Sequence, residues 1–133
     1  MISMFANASL ARRIEQADAS LNAEVTQAAR ARLDPDRAIV EPIAGGLAVF
    51  MEQGSPYNKA VGLGFDGLPA DGELTRLEAA FDERGTPLQF EICTLADPAL
   101  VKALTHRGYL AVGFENVLGM RVASPARGAD RIS

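Results

Sequence analysis

Residues 97–122 constrain the fold more than any other stretch of the chain. Asp97 and Pro98 open a helix there: an Asp side chain can accept from the first free N–H groups, and proline at the first helical position forfeits no hydrogen bond. Gly108 stands just past the helix end. A long apolar run follows from Tyr109 to about Val122, Tyr-Leu-Ala-Val-Gly-Phe-Glu-Asn-Val-Leu-Gly-Met-Arg-Val. It predicts a strand, bent at Gly113 or at Glu115-Asn116. A helix that delivers the chain straight into a strand needs a sheet to land on, and the preceding residues supply one.

Residues 8–33 predict a helix. Leu10, Ile14, Ala17, Leu21, Val25 and Ala28 recur at spacings of four, three, four, four and three and form an apolar stripe. Asn7 or Ser9 can cap its start, and Asp34-Pro35-Asp36 ends it, because a residue before proline is pushed out of the helical region. Short strands follow at 38–43 and 47–51, joined by a hairpin at Gly45-Gly46. Residues 59–65 predict a further strand, so uniformly apolar or glycine that it belongs in the middle of a sheet, covered on both faces. A second helix spans 71–84, with Asp71 as cap, Leu74, Leu77 and Phe81 as its buried face, and Gly85 as stop. In 88–93, Leu88, Phe90 and Ile92 face one way and Gln89, Glu91 and Cys93 the other.

The element order is therefore helix, three strands, helix, strand, helix, strand. Short turns make the first three strands antiparallel, and the strand-helix-strand units that follow are right-handed parallel crossovers. This is an α+β fold: a mixed sheet, with antiparallel N-terminal strands and then βαβ crossovers, and helices on both faces. Residues 1–122 form one domain and 123–133 a flexible C-terminal tail without apolar pattern.

Composition narrows the function. A chain of 133 residues can bury roughly two thirds of its unfolded surface and needs no staples. Its net charge of -4 argues against nucleic acid, which calls for a clustered basic surface. Arg12-Arg13 and the Arg30, Arg32 pair alternate with Glu and Ala as a solvated helix face would. The lone Cys93 excludes an intramolecular disulfide and a thiolate metal site, and it fits the cytoplasm. No stretch approaches the roughly 20 apolar residues of a membrane span.

Several residues invite a chemical reading. Gly62-Leu-Gly-Phe-Asp-Gly67 spells GxGxxG, but its first glycines sit inside a strand and Pro69 precedes the helix. A bulge or a close backbone approach accounts for them better than a dinucleotide turn does. His106 is the only histidine, and it has no acidic neighbour one turn away. Cys93 lacks a visible base and reads as a small hydrophobe. Glu91, Glu115 and Asn116 are the polar residues least expected in apolar strands. They could line a groove for a small amine, with Glu91 as general base. The same residues could equally face solvent, a turn or a second domain.

The order of elements resembles the fold of the GNAT superfamily, the acetyl-CoA-dependent N-acetyltransferases. The helix running into Arg107-Gly108-Tyr109 and a strand is similar to that family's helix, Gly-Phe/Tyr, strand segment. Ala44-Gly-Gly-Leu-Ala-Val-Phe50, Gly54-Ser-Pro-Tyr-Asn-Lys59, Val61-Gly-Leu-Gly-Phe65 and Phe114-Glu-Asn-Val-Leu118 look like the N-terminal half of bacterial two-domain members. The likeness covers about residues 8–122. In such proteins the acetyl-CoA site usually belongs to the C-terminal half, to which nothing here corresponds.

The resemblance implies main-chain contacts to a cofactor's pantetheine arm from Gly62, Leu63 and Gly64. It also implies a Gln/Arg-x-x-Gly-x-Gly/Ala loop that holds the diphosphate on backbone N–H groups. Here that segment is Phe65-Asp-Gly-Leu-Pro-Ala-Asp-Gly-Glu73, with carboxylates and no Arg or Gln. A carboxylate about 5 Å from a phosphate costs on the order of 3 kcal/mol at an effective dielectric near 20. The helix dipole returns at most about 2 kcal/mol. The family's general acid, often a Tyr one turn before the glycine, is matched by Leu104; Tyr109 and Tyr57 do not fall at that position. The expectation is a non-catalytic half that binds no cofactor alone, packs against a second GNAT-like domain or itself, and helps shape a substrate groove. Acetyl-CoA enters if the family activity is retained. The alternatives are a complete small N-acetyltransferase with a degenerate cofactor loop, or a stand-alone dimeric interaction module.

Overall fold

A computed structural model of the chain describes residues 7–29 and 37–115. Helix α1 (Ala8–Ala29) is followed by strands β1 (Ile39–Ile43), β2 (Gly46–Phe50) and β3 (Lys59–Val61), helix α2 (Asp71–Glu83), strand β4 (Phe90–Glu91) and helix α3 (Pro98–His106). The strands form one sheet in the order β1-β2-β3-β4. β1, β2 and β3 pair antiparallel, and β3 pairs parallel with β4. The mixed α+β sheet expected from the sequence is present, with β3 in its interior.

Residues directly opposite in neighbouring strands share a face, so the register sorts the core. Ile39 faces Phe50, Ile43 faces Gly46, Ala48 faces Ala60, and Ala60 faces Phe90. This side packs against Leu74, Leu77 and Phe81 of α2 and Leu100 and Leu104 of α3, the buried faces predicted for α2 and for a helix starting at Pro98. Phe50 and Phe81 meet edge to face, and the Arg84 guanidinium lies 5.6 Å from the centre of the Phe50 ring. The other side carries Val49, Lys59, Val61 and Glu91, and α1 lies over β2 and β3 there.

Two helix caps follow the sequence reading and one departs from it. Asn7 Oδ1 accepts from the Leu10 N–H at 2.9 Å, which settles the start of α1. Asp97 accepts from the Ala99 N–H with Pro98 at the first helical position, and Gly108 follows α3 in the left-handed region at φ 96°. Asp71, by contrast, is the first helical residue of α2 and not its cap. Ala70 takes that place, and its N–H donates to Glu73 Oε1 at 3.0 Å.

The turn between β1 and β2 is Ala44-Gly45, one residue earlier than predicted. Both have positive φ, 46° and 81°, which a two-residue hairpin turn of this hand requires. Gly46 is thereby a strand residue. A Cβ there would stand 2.2 Å from the Val61 carbonyl oxygen, so its bareness lets β3 approach β2.

The remaining strands are shorter than the apolar runs imply. β3 stops at Val61 because Gly62 and Gly64, at φ 80° and 95°, turn the chain out of the extended conformation. β4 is confined to Phe90–Glu91, with one further ladder bond from the Ala60 N–H to the Gln89 carbonyl. Residues 109–115 form no strand, although the sequence predicts one, and no described strand pairs with them.

α1 also meets the sheet differently. Its buried residues are Ala11, Asn22 and Thr26, while Leu21 of the apolar stripe is 51% exposed. The helix comes close to the sheet: a Cβ on Gly62 would lie 3.4 Å from the Glu15 carbonyl oxygen and 3.6 Å from the Ala19 methyl. Thr26 hides its hydroxyl on the Asn22 carbonyl at 2.9 Å, while the buried Asn22 amide nitrogen has no hydrogen-bond partner among the described residues. The predicted end of this helix and the C-terminal tail lie outside the described residues. Among the described residues no helix is long and apolar enough to cross a membrane.

Candidate functional site

The polar side chains that the fold gathers lie on the α1 side of the sheet. Glu91 follows Phe90 in β4, so it points away from the apolar core, as predicted from the alternation in 88–93. Its carboxylate pairs with the Lys59 ammonium of β3, both side chains being half-buried. From above, Glu15 and Asp18 of α1 face the same pair. Burial pushes the Glu15 carboxyl up from its ordinary value, and the negative charges of Asp18 and Glu91 push it further. The Asp18 carboxyl is also raised, first by burial and then by Glu91, against a downward pull from Lys59. Among the described residues three carboxylates thus share the Lys59 ammonium, in a partly buried setting. Such a patch can attract a cation and hold a base beside it.

Of the residues singled out in the sequence, only Glu91 joins this cluster. Glu115 is exposed and makes no hydrogen bond or ion pair among the described residues, and Asn116 lies outside them. Gly62, Leu63 and Gly64 are buried. The Gly64 carbonyl accepts from the Asp97 N–H at 2.8 Å, and a Cβ on Gly64 would stand 2.7 Å from the Ala96 methyl. Glu15, Asp18 and Lys59 were not singled out from sequence. The available signal was the i, i+3 spacing of Glu15 and Asp18, which puts them on one helix face.

The segment between β3 and α2 is held shut by charge. Arg12 grips Asp66 with both ends of its guanidinium, Nε to Oδ2 at 3.2 Å and a terminal nitrogen to Oδ1 at 2.9 Å. Arg12 was read as part of a solvated face. Its role was hidden because its partner is 54 residues away. At the N-terminus of α2 the Glu73 carboxylate already occupies the Ala70 N–H, and the Asp71 side chain is 94% exposed with Arg107 3.5 Å from it. The segment thus carries three carboxylates, two of them paired with Arg12 and Arg107 and the third turned back on the Ala70 amide.

A second polar knot ties α3 to α2. Glu78 accepts from Arg107 and, at 2.8 Å, from the Tyr109 hydroxyl. The Arg107 hydrogen bond holds the Glu78 carboxyl below its ordinary value despite burial. Burial and the Glu78 carboxylate push the Tyr109 hydroxyl well up, so it stays protonated as a donor. Tyr109 also packs edge to face on Phe90, with ring centres 5.2 Å apart. Cys93 is half-buried, and its sulfur accepts from the Leu95 N–H at 3.4 Å.

No group of three or more His, Cys, Asp or Glu side chains among the described residues is placed to hold a metal ion. No family model, curated protein or solved structure matches this chain.

Proposed function

We propose that this chain is a GNAT-like half-domain without an acetyl-CoA loop of its own, which packs against a catalytic partner domain and supplies one wall of a groove for a small amine. The observation that carries this reading is the state of the segment between β3 and α2. Asp66 is clamped by Arg12, and the Ala70 amide before α2 is taken by Glu73. An anionic carrier would have to displace these carboxylates, at a cost on the order of 3 kcal/mol for each one left about 5 Å away.

The amine wall is Glu91 with Lys59 beneath Glu15 and Asp18. Glu91 is the group to take a proton from a bound ammonium, and Glu15 and Asp18 supply the attraction that brings it in. Beyond α3 the chain leaves Leu110, Val112 and Phe114 83%, 91% and 89% exposed. Side chains this apolar and this bare mark an interaction site.

Calorimetric titration of the chain with acetyl-CoA tests the reading. Binding weaker than about 1 mM is the expected outcome, and a micromolar dissociation constant would overturn it. For the groove, a Glu91→Gln variant that bound a set of small amines as the parent does would remove Glu91 from the wall.

A further inference from the structure

We infer that two copies of this chain pair through residues 109–115, as antiparallel strands related by a two-fold axis at Val112. The inference goes beyond the half-domain reading and needs only the exposed run.

The first support is what the segment lacks. Leu110, Val112 and Phe114 alternate along the chain, are 83–91% exposed, and would share one face of a strand. Residues 110–115 make no hydrogen bond among the described residues, so their main-chain donors and acceptors are free to pair. The sequence here has strand periodicity, and no described strand lies beside it. Unpaired backbone next to bare apolar side chains is the arrangement that recruits another strand.

The second support is self-complementarity, which selects a second copy as the occupant. A two-fold interface must match a surface to itself. With the axis at Val112, Val112 meets Val112, Leu110 meets Phe114 of the second copy, and Ala111 meets its Gly113. Glu115 then meets Tyr109 of the second copy and not another carboxylate. Parallel in-register pairing would set Glu115 against Glu115, which like-charge repulsion disfavours. Large residues thus face large ones, small face small, and no like charges oppose.

The third point is area. Three nearly bare side chains from each copy offer on the order of 1,000 Å² in all, of which an edge-to-edge pair covers a part, so the contact belongs to the small, weak class below the roughly 1,200 Å² of standard interfaces. The expected dissociation constant is therefore modest, about 1–100 μM.

Sedimentation equilibrium of the full chain from about 5 to 500 μM tests this, with a dimer forming in that window as the expected result. Val112→Lys places two ammonium groups on the axis and should weaken the dimer tenfold or more. Val101→Lys, on α3 and half-exposed, should leave it unchanged. Directly opposed residues of an antiparallel pair have Cα atoms about 4.5–5.5 Å apart, within the span of a disulfide, so Val112→Cys in a Cys93→Ser background should oxidise to a covalent dimer, while Leu95→Cys in the same background should not.

A monomer at 500 μM, a Val112→Lys dimer as tight as the parent, or failure of Val112→Cys to cross-link would each overturn the inference. Acetyl-CoA titration of the same samples separates it from the half-domain reading. Tight cofactor binding by a Val112-centred dimer would sink that reading alone, and a monomer that ignores acetyl-CoA would sink the pairing alone.

Discussion

The two faces of the sheet are built on opposite terms. Toward α2 and α3 the chain packs Phe50, Phe81, Leu74, Leu77, Leu100 and Leu104, with polar groups kept to the rim. Toward α1 it packs Ala11 and Val49 beside Asn22, Thr26, Lys59, Glu91, Glu15 and Asp18. The first face supplies stability through burial, at roughly 25 cal/mol for each Å² of apolar area removed from water. On the second, charge and an unpartnered amide nitrogen on Asn22 draw on that stability. A domain that spends free energy on one side of its sheet has a use for that side beyond folding.

The sharpest way to break this contrast is to cut into each face in turn. Phe81→Ala removes a fully buried ring and should cost about 3–5 kcal/mol in urea unfolding; a loss below 1 kcal/mol would mean that the α2 face is not where stability resides.

Next comes the rim of that face. Glu78→Gln weakens the clamp on Arg107 and Tyr109 and should cost about 1 kcal/mol at pH 7, a figure discounted for partial exposure. Because the Glu78 carboxyl is depressed when folded, its contribution is present above the ordinary value of 4.5 and is lost as pH falls through the folded value. The gap between parent and variant should therefore close below that point.

Substitutions on the α1 face should run the other way. Asn22→Leu replaces a buried donor that has no partner and should stabilise by about 1 kcal/mol. Destabilisation by as much would show that the amide is used.

The smallest effect belongs to Glu15→Gln, a gain of a few tenths of a kcal/mol at pH 7 after screening is allowed for. Its sign with pH is opposite to that of Glu78. A carboxyl raised in the folded state costs stability above its folded value and is relieved as pH falls toward 4.5, so the gain should vanish in acid. Unfolding curves of the two variants from pH 4 to pH 8 give a direct comparison.

Much of the α2 side was legible in the sequence. Leu74, Leu77 and Phe81 recur at helical spacing, and Asp97-Pro98 with Gly108 brackets α3, because these are local signals. The α1 side was not. The stripe from Leu10 to Ala28 is real in the sequence, but the helix buries Ala11, Asn22 and Thr26 and brings its Glu15 and Ala19 close to Gly62. Periodicity reports which side chains prefer burial and not how near a neighbour can come. The strand predicted from Tyr109 onward fails among the described residues for a related reason: a strand needs a partner, and apolar alternation alone does not name one. Glu91 was found because it interrupts an apolar pattern. Glu15 and Asp18 were missed because charge on a helix is the common case.

Asp97 does more than start a helix. Its carboxylate receives the Ala99 N–H while its own N–H binds the Gly64 carbonyl, and at the far end Glu78 grips Arg107 and Tyr109. α3 is thus fastened at both ends, and the chain leaving it at Gly108 starts from a fixed point and in a fixed direction. Whatever the bare residues beyond Tyr109 capture, the freedom lost at their root has been surrendered before contact, so encounter has only the tip left to organise.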